Sequence, residues 1–413
     1  MTDHWLFRAE VSLIVGALVV LVLWRLMAAL NARGQTASIH VPIGAGLLVR
    51  LLAVAVAAAV PAIGHKLTST DEATFLATTK TLAALPLSSS KWLSMGLHWT
   101  EVIPWALTYK LFGDCGTLPL RLEQIGLNLI AVVLVSATAG KIGGRRAAVI
   151  TAWIAALEPS SAYFGGLLHQ ESLCMVGEAL LLGALVDAWM HDNGSRRPLL
   201  CGLVGLGLIF GTRSYLAFFA AVAVVLVLAA AALQRRVGLT RGLVALTVVA
   251  VAVGVAGIFA APHVVPGAVA NLQHQLNVPY PGANLPLPHA TVTNGSDLLK
   301  TVVLRSVDLI LRPYPWQTAS AAQKVAVAGT LIWYVLVLVT AWLTIRQGLD
   351  GRLVPALIVI VCATIGFALT LVDAGEGFRH RVNLVLILAV PLGVLLDRWW
   401  TARAQRLHGL VAT

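Results

Sequence analysis

Two adjacent carboxylates, Asp71 and Glu72, follow the second apolar stretch of this 413-residue chain by only a few residues. A carboxylate at the mouth of an apolar bundle can take the proton of an acceptor hydroxyl held within hydrogen-bond reach. Groups suited to holding an anion stand further along. Arg213 separates two apolar runs, Arg312 opens Arg312-Pro313-Tyr314-Pro315-Trp316, and Arg379, His380 and Arg381 close the run that begins at Glu376. Guanidinium groups stay charged and bind phosphate oxygens bidentately. His169 and Glu171 begin another apolar run, with Glu178 seven residues deeper in it. Each has a plainer reading too. Asp71 and Glu72 suit an exposed acidic first turn capped by Thr70. Arg213 suits a loop arginine snorkelling to water. Glu178, as an ionisable group inside a span, costs about 2.5–3.5 kcal/mol on insertion scales and suggests an internal ion pair with Arg213.

The elements that must position these groups are apolar helices. The chain is 58% hydrophobic and 11% charged, against about 25% charged in soluble proteins. Runs near 9–30, 46–64, 119–140, 147–164, 170–190, 199–212, 214–233, 242–261, 326–345, 353–372 and 382–397 approach the about 20 residues a spanning helix needs. They are continuously apolar, unlike the alternating strands of a barrel. The expected fold is therefore an all-α polytopic integral membrane protein, with about eleven transmembrane helices in a single domain over 1–413. The first run is longer than the apolar core of a signal peptide and reads as a retained helix. The net charge of +11 follows from the positive-inside rule rather than from nucleic-acid binding. With the N-terminus outside, Lys141, Arg145, Arg146, Arg235, Arg236, Arg346, Arg352, Arg398, Arg403 and Arg406 are among the basic residues that fall on the cytoplasmic side. The short outer segments keep Arg8, Arg213, Arg379 and Arg381.

That threading leaves two long extracytoplasmic segments, 65–118 and 262–325. The first should hold an interfacial helix from Thr70 to Leu85, with Phe75, Leu76, Leu82 and Ala83 towards one face. Trp92, Trp99 and Trp105 after it suit the headgroup level. The second should pass through irregular chain at Pro279, Pro281, Pro286 and Pro288, then an amphipathic helix over 296–311 that ends at Pro313. Cys115, Cys174, Cys201 and Cys362 show neither a disulfide framework nor metal-ligand spacing. Carboxylates and arginines gathered on one side of a membrane suit an anionic, lipid-borne substrate.

The order of these motifs resembles the GT-C superfamily of membrane glycosyltransferases, in particular the bacterial protein-mannosyltransferase and aminoarabinose-transferase group. The motifs that carry the resemblance are the outer Asp71-Glu72 with its interfacial helix, Glu158-Pro159-Ser160, His169-Gln170-Glu171-Ser172, the Arg312 run, and Gly377-Phe378-Arg379-His380-Arg381 entering the last span. The resemblance covers 46–398, with residues 1–45 as an extra N-terminal helix and cytoplasmic loop. It implies transfer of a sugar from a polyprenyl-phosphate donor on the extracytoplasmic face of the cell or plasma membrane to a lipid, glycan or protein acceptor. It also implies a single inverting displacement with Asp71 as general base and Glu72 beside it. Arg379, Arg381 and Arg213 would match groups that hold the donor phosphate, with His169, Glu171, Arg312 and His380 lining the same substrate site. No cofactor is expected, although Asp71 and Glu72 are a pair able to hold a divalent cation. Phe75 stands where many relatives carry tyrosine. Two other readings remain: an O-antigen-type polymerase or ligase, which also uses outer-face arginines, and a non-enzymatic transporter or lipid flippase. A flippase should show repeats and polar sites at mid-membrane, and none is evident.

Overall fold

The computed structural model describes residues 2–32, 39–59, 70–96, 100–190, 196–237, 287–317 and 321–411, with a few positions in 270–277. These residues form helices joined by turns and loops, as the apolar runs require. In chain order the helices are α1 (Thr2–Asn31), α2 (His40–Ala59), α3 (Thr70–Ala84), α4 (Lys91–Gly96), α5 (Val102–Phe112), α6 (Leu118–Gly143), α7 (Arg145–Leu157) and α8 (Pro159–Phe164). They continue as α9 (Glu171–Met190), α10 (Arg196–Thr212), α11 (Ser214–Val237), α12 (Gly295–Leu311), α13 (Ala321–Gln347), α14 (Val354–Thr370) and α15 (Ala374–Val411).

Seven of the described helices are long and apolar enough to cross a membrane, rather than the eleven expected. The run at 242–261 lies outside the described residues. The stretch 147–164 is divided, because Pro159 lacks an amide hydrogen and begins a new helix. Glu158 caps that helix with Oε2, which accepts from the Ser161 amide at 2.6 Å. The apolar part of α2 is short, His40–Val56, and α10 has 17 residues. Central to the bundle are α6, α9 and α15, while α1, α11 and α13 present Leu13, Phe218 and Leu338 outward. Exposed apolar side chains on spanning helices are what lipid requires. Where α9 meets α10 the backbones touch, since a Cβ on Gly177 would lie 2.8 Å from the Gly205 carbonyl oxygen. Small residues permit such close approach between membrane helices.

Most of the ion pairs fall at two ends. At one, Lys141 pairs with Asp187 at 2.7 Å, Arg398 with Asp350, and Arg146 with Asp397 at 3.5 Å. There Arg352 also donates to the Ile142 carbonyl at 2.9 Å. At the other end are Arg8 with Asp114, Arg121 with Glu72, and Glu171 with Arg213. This grouping agrees with the sequence threading of the helices. Helix α3 lies over the second end, its Phe75 and Leu82 buried against Trp105 and Tyr109 of α5 and against Leu120 and Leu168. Trp105, one of the three tryptophans expected at headgroup level, faces the protein interior. It is fully buried beneath α3, edge-on to Phe75 at 6.3 Å. Trp99 lies outside the described residues. Helix α12 forms with Asn294 as its cap, accepting from the Asp297 amide at 3.0 Å, and stops at Arg312 before Pro313. Most of the proline stretch before it, 278–286, also lies outside the described residues.

Candidate active site

The site is built on the first turn of α9. Glu171 is buried there, where the helix N-terminus favours a carboxylate. Its Oε1 accepts from Arg213 Nη2 at 2.5 Å and lies 3.1 Å from Arg379 Nε. His169 Nδ1 is 3.9 Å from Oε2. Arg213 occupies the single-residue break between α10 and α11 and is only 4% exposed, so it does not snorkel. Its Nη1 donates to the Tyr215 hydroxyl at 2.7 Å, and the guanidinium lies 5.8 Å from the Phe367 ring centre. His380 stacks on the same Phe367 at 4.6 Å, with Nε2 3.3 Å from Glu376. Arg213 and Arg379 are balanced by Glu171 and Glu376. With neutral imidazoles, the network carries no net charge.

Arg381 belongs to another face. Two residues along a helix turn through about 200°, so Arg379 and Arg381 leave α15 on opposite sides instead of forming one clamp. Arg381 is 1% exposed, with its guanidinium 5.4 Å from the Phe378 ring. None of its three side-chain nitrogens has a hydrogen-bond partner among the described residues. Its electrostatic neighbours are Glu158 and Tyr334. Both Glu158 oxygens are taken up locally, by the Ser160 hydroxyl at 2.5 Å and the Ser161 amide. Beside them, fully buried Arg50 donates to Asn128 Oδ1 at 2.6 and 3.0 Å, to the carbonyls of Gly46 and Ala156, and to Ser161. Gly165 closes this layer, because a Cβ there would meet Arg50 and Asn128 at 2.9 Å.

The acidic pair stands close by. Asp71 lies in the first turn of α3, and its side chain is outside the described residues. Glu72 is not the exposed residue of the plainer reading, being 6% exposed and paired with Arg121. Burial raises its carboxyl above the usual range and Arg121 opposes the shift. Arg121 also donates to the Gly166 carbonyl at 3.1 Å, which ties the first turn of α3 to the segment carrying His169. Phe75 lies edge-on to His169 at 6.1 Å, and the Gln124 amide donates to the His169 carbonyl. Arg312 is not brought to Glu171. It pairs with Asp308 at 2.8 Å and lies over Tyr314. Glu178 is buried, both oxygens lack hydrogen-bond partners among the described residues, and the arginine expected for it pairs with Glu171. Among the described residues no three His, Cys, Asp or Glu side chains gather as a metal site.

Sequence reasoning passed over Arg50, Arg121 and Glu101. Arg50 carried a signal, a charge inside an apolar run. Arg121 and its neighbour Glu123 stood at a span's start. Glu101 carried none. It is wholly buried with neither oxygen hydrogen-bonded among the described residues, near Glu171 and Arg213. Burial pushes its carboxyl up to about 8.

Residues 102–255 match the family model described as dolichyl-phosphate-mannose-protein mannosyltransferase. The matched stretch runs from α5 past α11 and contains His169, Glu171 and Arg213. It stops short of Arg379 to Arg381 and begins after Asp71. No curated protein and no solved structure gave a match.

Proposed function

We propose, from the premise that this chain is a membrane glycosyltransferase of the GT-C type, that Asp71 and Arg381 serve the two sides of one displacement. The acceptor hydroxyl or amine attacks the anomeric carbon of a polyprenyl-phosphate-linked sugar while Asp71 takes its proton. The bond from that carbon to the phosphate oxygen breaks, and the electron pair leaves with the lipid phosphate. Attack opposite the leaving group inverts the anomeric centre.

One observation carries the assignment of Arg381. It is a buried guanidinium whose donors are unbonded among the described residues, whereas Arg213 and Arg379 are bound to Glu171. A buried cation without hydrogen bonds is costly, and a phosphate would supply both charge and acceptors. Preorganised cations also stabilise the charge that develops on the leaving group. Arg213, Glu171, Arg379 and His380 then act as a neutral frame that fixes α9, α11 and α15 around the reacting atoms. Glu72, held by Arg121, sets the turn that bears Asp71. The basic residues at the opposite ends of the helices support an extracytoplasmic position for this end of the bundle.

The test is sugar transfer by purified protein with a panel of labelled polyprenyl-phosphate sugars. Asp71→Asn is expected to lower kcat at least about a hundredfold, the lower bound for a lost general base, in a protein that still melts cooperatively. Arg381→Ala should lose turnover while Arg381→Lys keeps part of it. Full activity in Asp71→Asn with loss only in the arginine variant would move the protein to an arginine-led polymerase or ligase mechanism. Wild-type protein inert with every donor, in cells whose envelope glycans do not depend on Asp71, would overturn the reading altogether.

A further inference from the structure

The end of the bundle opposite Glu171 carries an aromatic and basic ladder that the transfer reaction does not use. Trp342 of α13 and Trp399 of α15 meet edge to face at 6.3 Å, and Trp399 lies 6.4 Å from Trp400. Each tryptophan has a guanidinium over its ring. Arg346 covers Trp342 at 5.4 Å, Arg403 covers Trp399 at 5.5 Å, and Arg146 covers Trp400 at 5.4 Å. The spacing i to i+4 along a helix produces the first two contacts. The two helices are joined just above, where the Gln347 amide donates to the Leu395 carbonyl at 3.1 Å.

Charge is distributed unevenly over this end. Arg352 and Arg398 share Asp350, and Arg146 pairs with Asp397. Arg346, Arg403 and Arg406 are exposed and take no carboxylate among the described residues. A guanidinium stacked on an indole is held in place through its face, while its N–H groups remain in the plane of the fork. Two such groups on one ladder form a receptor for a phosphate ester.

Depth along α15 says where that receptor lies. Trp399 follows Arg381 by eighteen residues, about 27 Å at 1.5 Å per residue. That approaches the about 30 Å of a bilayer's hydrocarbon core. With Arg381 near one boundary, the tryptophans stand at the other, where indoles favour the interface, and Arg346 and Arg403 reach the headgroups.

We propose that the Arg346–Trp342–Trp399–Arg403 ladder is a binding site for the phosphodiester headgroup of an anionic phospholipid, in the leaflet opposite the transfer site. The proposal is independent of the donor and acceptor assigned above. It can be tested on the full-length protein, delipidated and placed in phosphatidylcholine nanodiscs doped with phosphatidylglycerol. Lipid retained after re-extraction is counted by native mass spectrometry. Wild type should retain phosphatidylglycerol over phosphatidylcholine. Arg346→Gln with Arg403→Gln should weaken this by about thirtyfold, the effect of two interfacial cations at about 1 kcal/mol each. Arg196→Gln with Arg236→Gln removes the same charge from exposed positions at that end and should keep the preference. Soluble glycerol 3-phosphate should not displace the lipid. An equal loss in both double variants, absence of preference in wild type, or displacement by the soluble ester would each overturn the site. Unchanged melting in pure phosphatidylcholine confirms that the variants remain folded.

Discussion

Glu101 illustrates how a residue's position in the chain conceals its chemistry. It follows Thr100, whose amide donates to the Gly211 carbonyl at 3.2 Å, and this contact with the end of α10 draws the carboxylate inward. Burial, reinforced by Glu171 and opposed by its own backbone amide and by Arg213, raises it from its usual 4.5 to about 8. A carboxyl raised by folding binds its proton more tightly in the native state. Its contribution to stability is therefore present at low pH and is lost as pH rises from about 4.5 through about 8. Purified protein should melt at lower temperature at pH 8 than at pH 5, and Glu101→Gln should flatten that slope. An identical slope in both proteins would show that Glu101 does not titrate in this window. Nothing in the residues around Glu101 announces this, because its burial depends on a helix more than a hundred positions away. Glu171, Arg213 and Arg379 are legible for the opposite reason, being charges beside or within apolar runs. Their division into a neutral network and a separate Arg381 is not. It depends on where the turns of α15 fall.

At the scale of elements, hydrophobic runs locate most of the helices, and proline explains where they break. Pro159 divides the fourth run, and Pro313 follows the end of α12. Contacts between helices are harder to read, since a glycine in an apolar run looks the same whether it touches lipid or another backbone. Gly177 and Gly207 make the contrast. A Cβ on Gly177 would press on Gly205 of α10, while one on Gly207 would meet nothing within 4 Å among the described residues. Gly177→Ala is expected to cost about 1–3 kcal/mol through overpacking. Because α10 leads directly into Arg213, the substitution should also lower transfer activity. Gly207→Ala should change neither. Equal melting temperatures and activities for the two variants would mean that the α9–α10 contact does not set the Arg213–Glu171 geometry.

For the molecule as a whole, the two charged ends are the feature most directly encoded, since the basic residues mark alternate connections. The sidedness that follows can be measured. In a background without its four cysteines, Asp114→Cys should react with a membrane-impermeant maleimide in intact cells. Arg406→Cys should react only after permeabilisation. The reverse pattern would put Asp71 and Arg381 on the cytoplasmic side and remove the outer-leaflet donor from consideration. The helix count was less legible, because α2, α7 and α10 are short or divided and their apolar stretches merge with those of their neighbours.

Helix α15 connects these scales. Its 38 residues extend about 57 Å, with Arg379 and Arg381 in its second turn and the tryptophan ladder beyond its lipid-facing length. A rod fixed to the headgroups at one leaflet gauges the thickness of the bilayer at the other. In a thinner membrane it must tilt or bend, and Pro391, buried in its interior, is the position where a helix yields most readily. The height of Arg381 relative to the lipid phosphates of the opposite leaflet would then vary with acyl chain length, making the composition of the host membrane a setting of the enzyme itself.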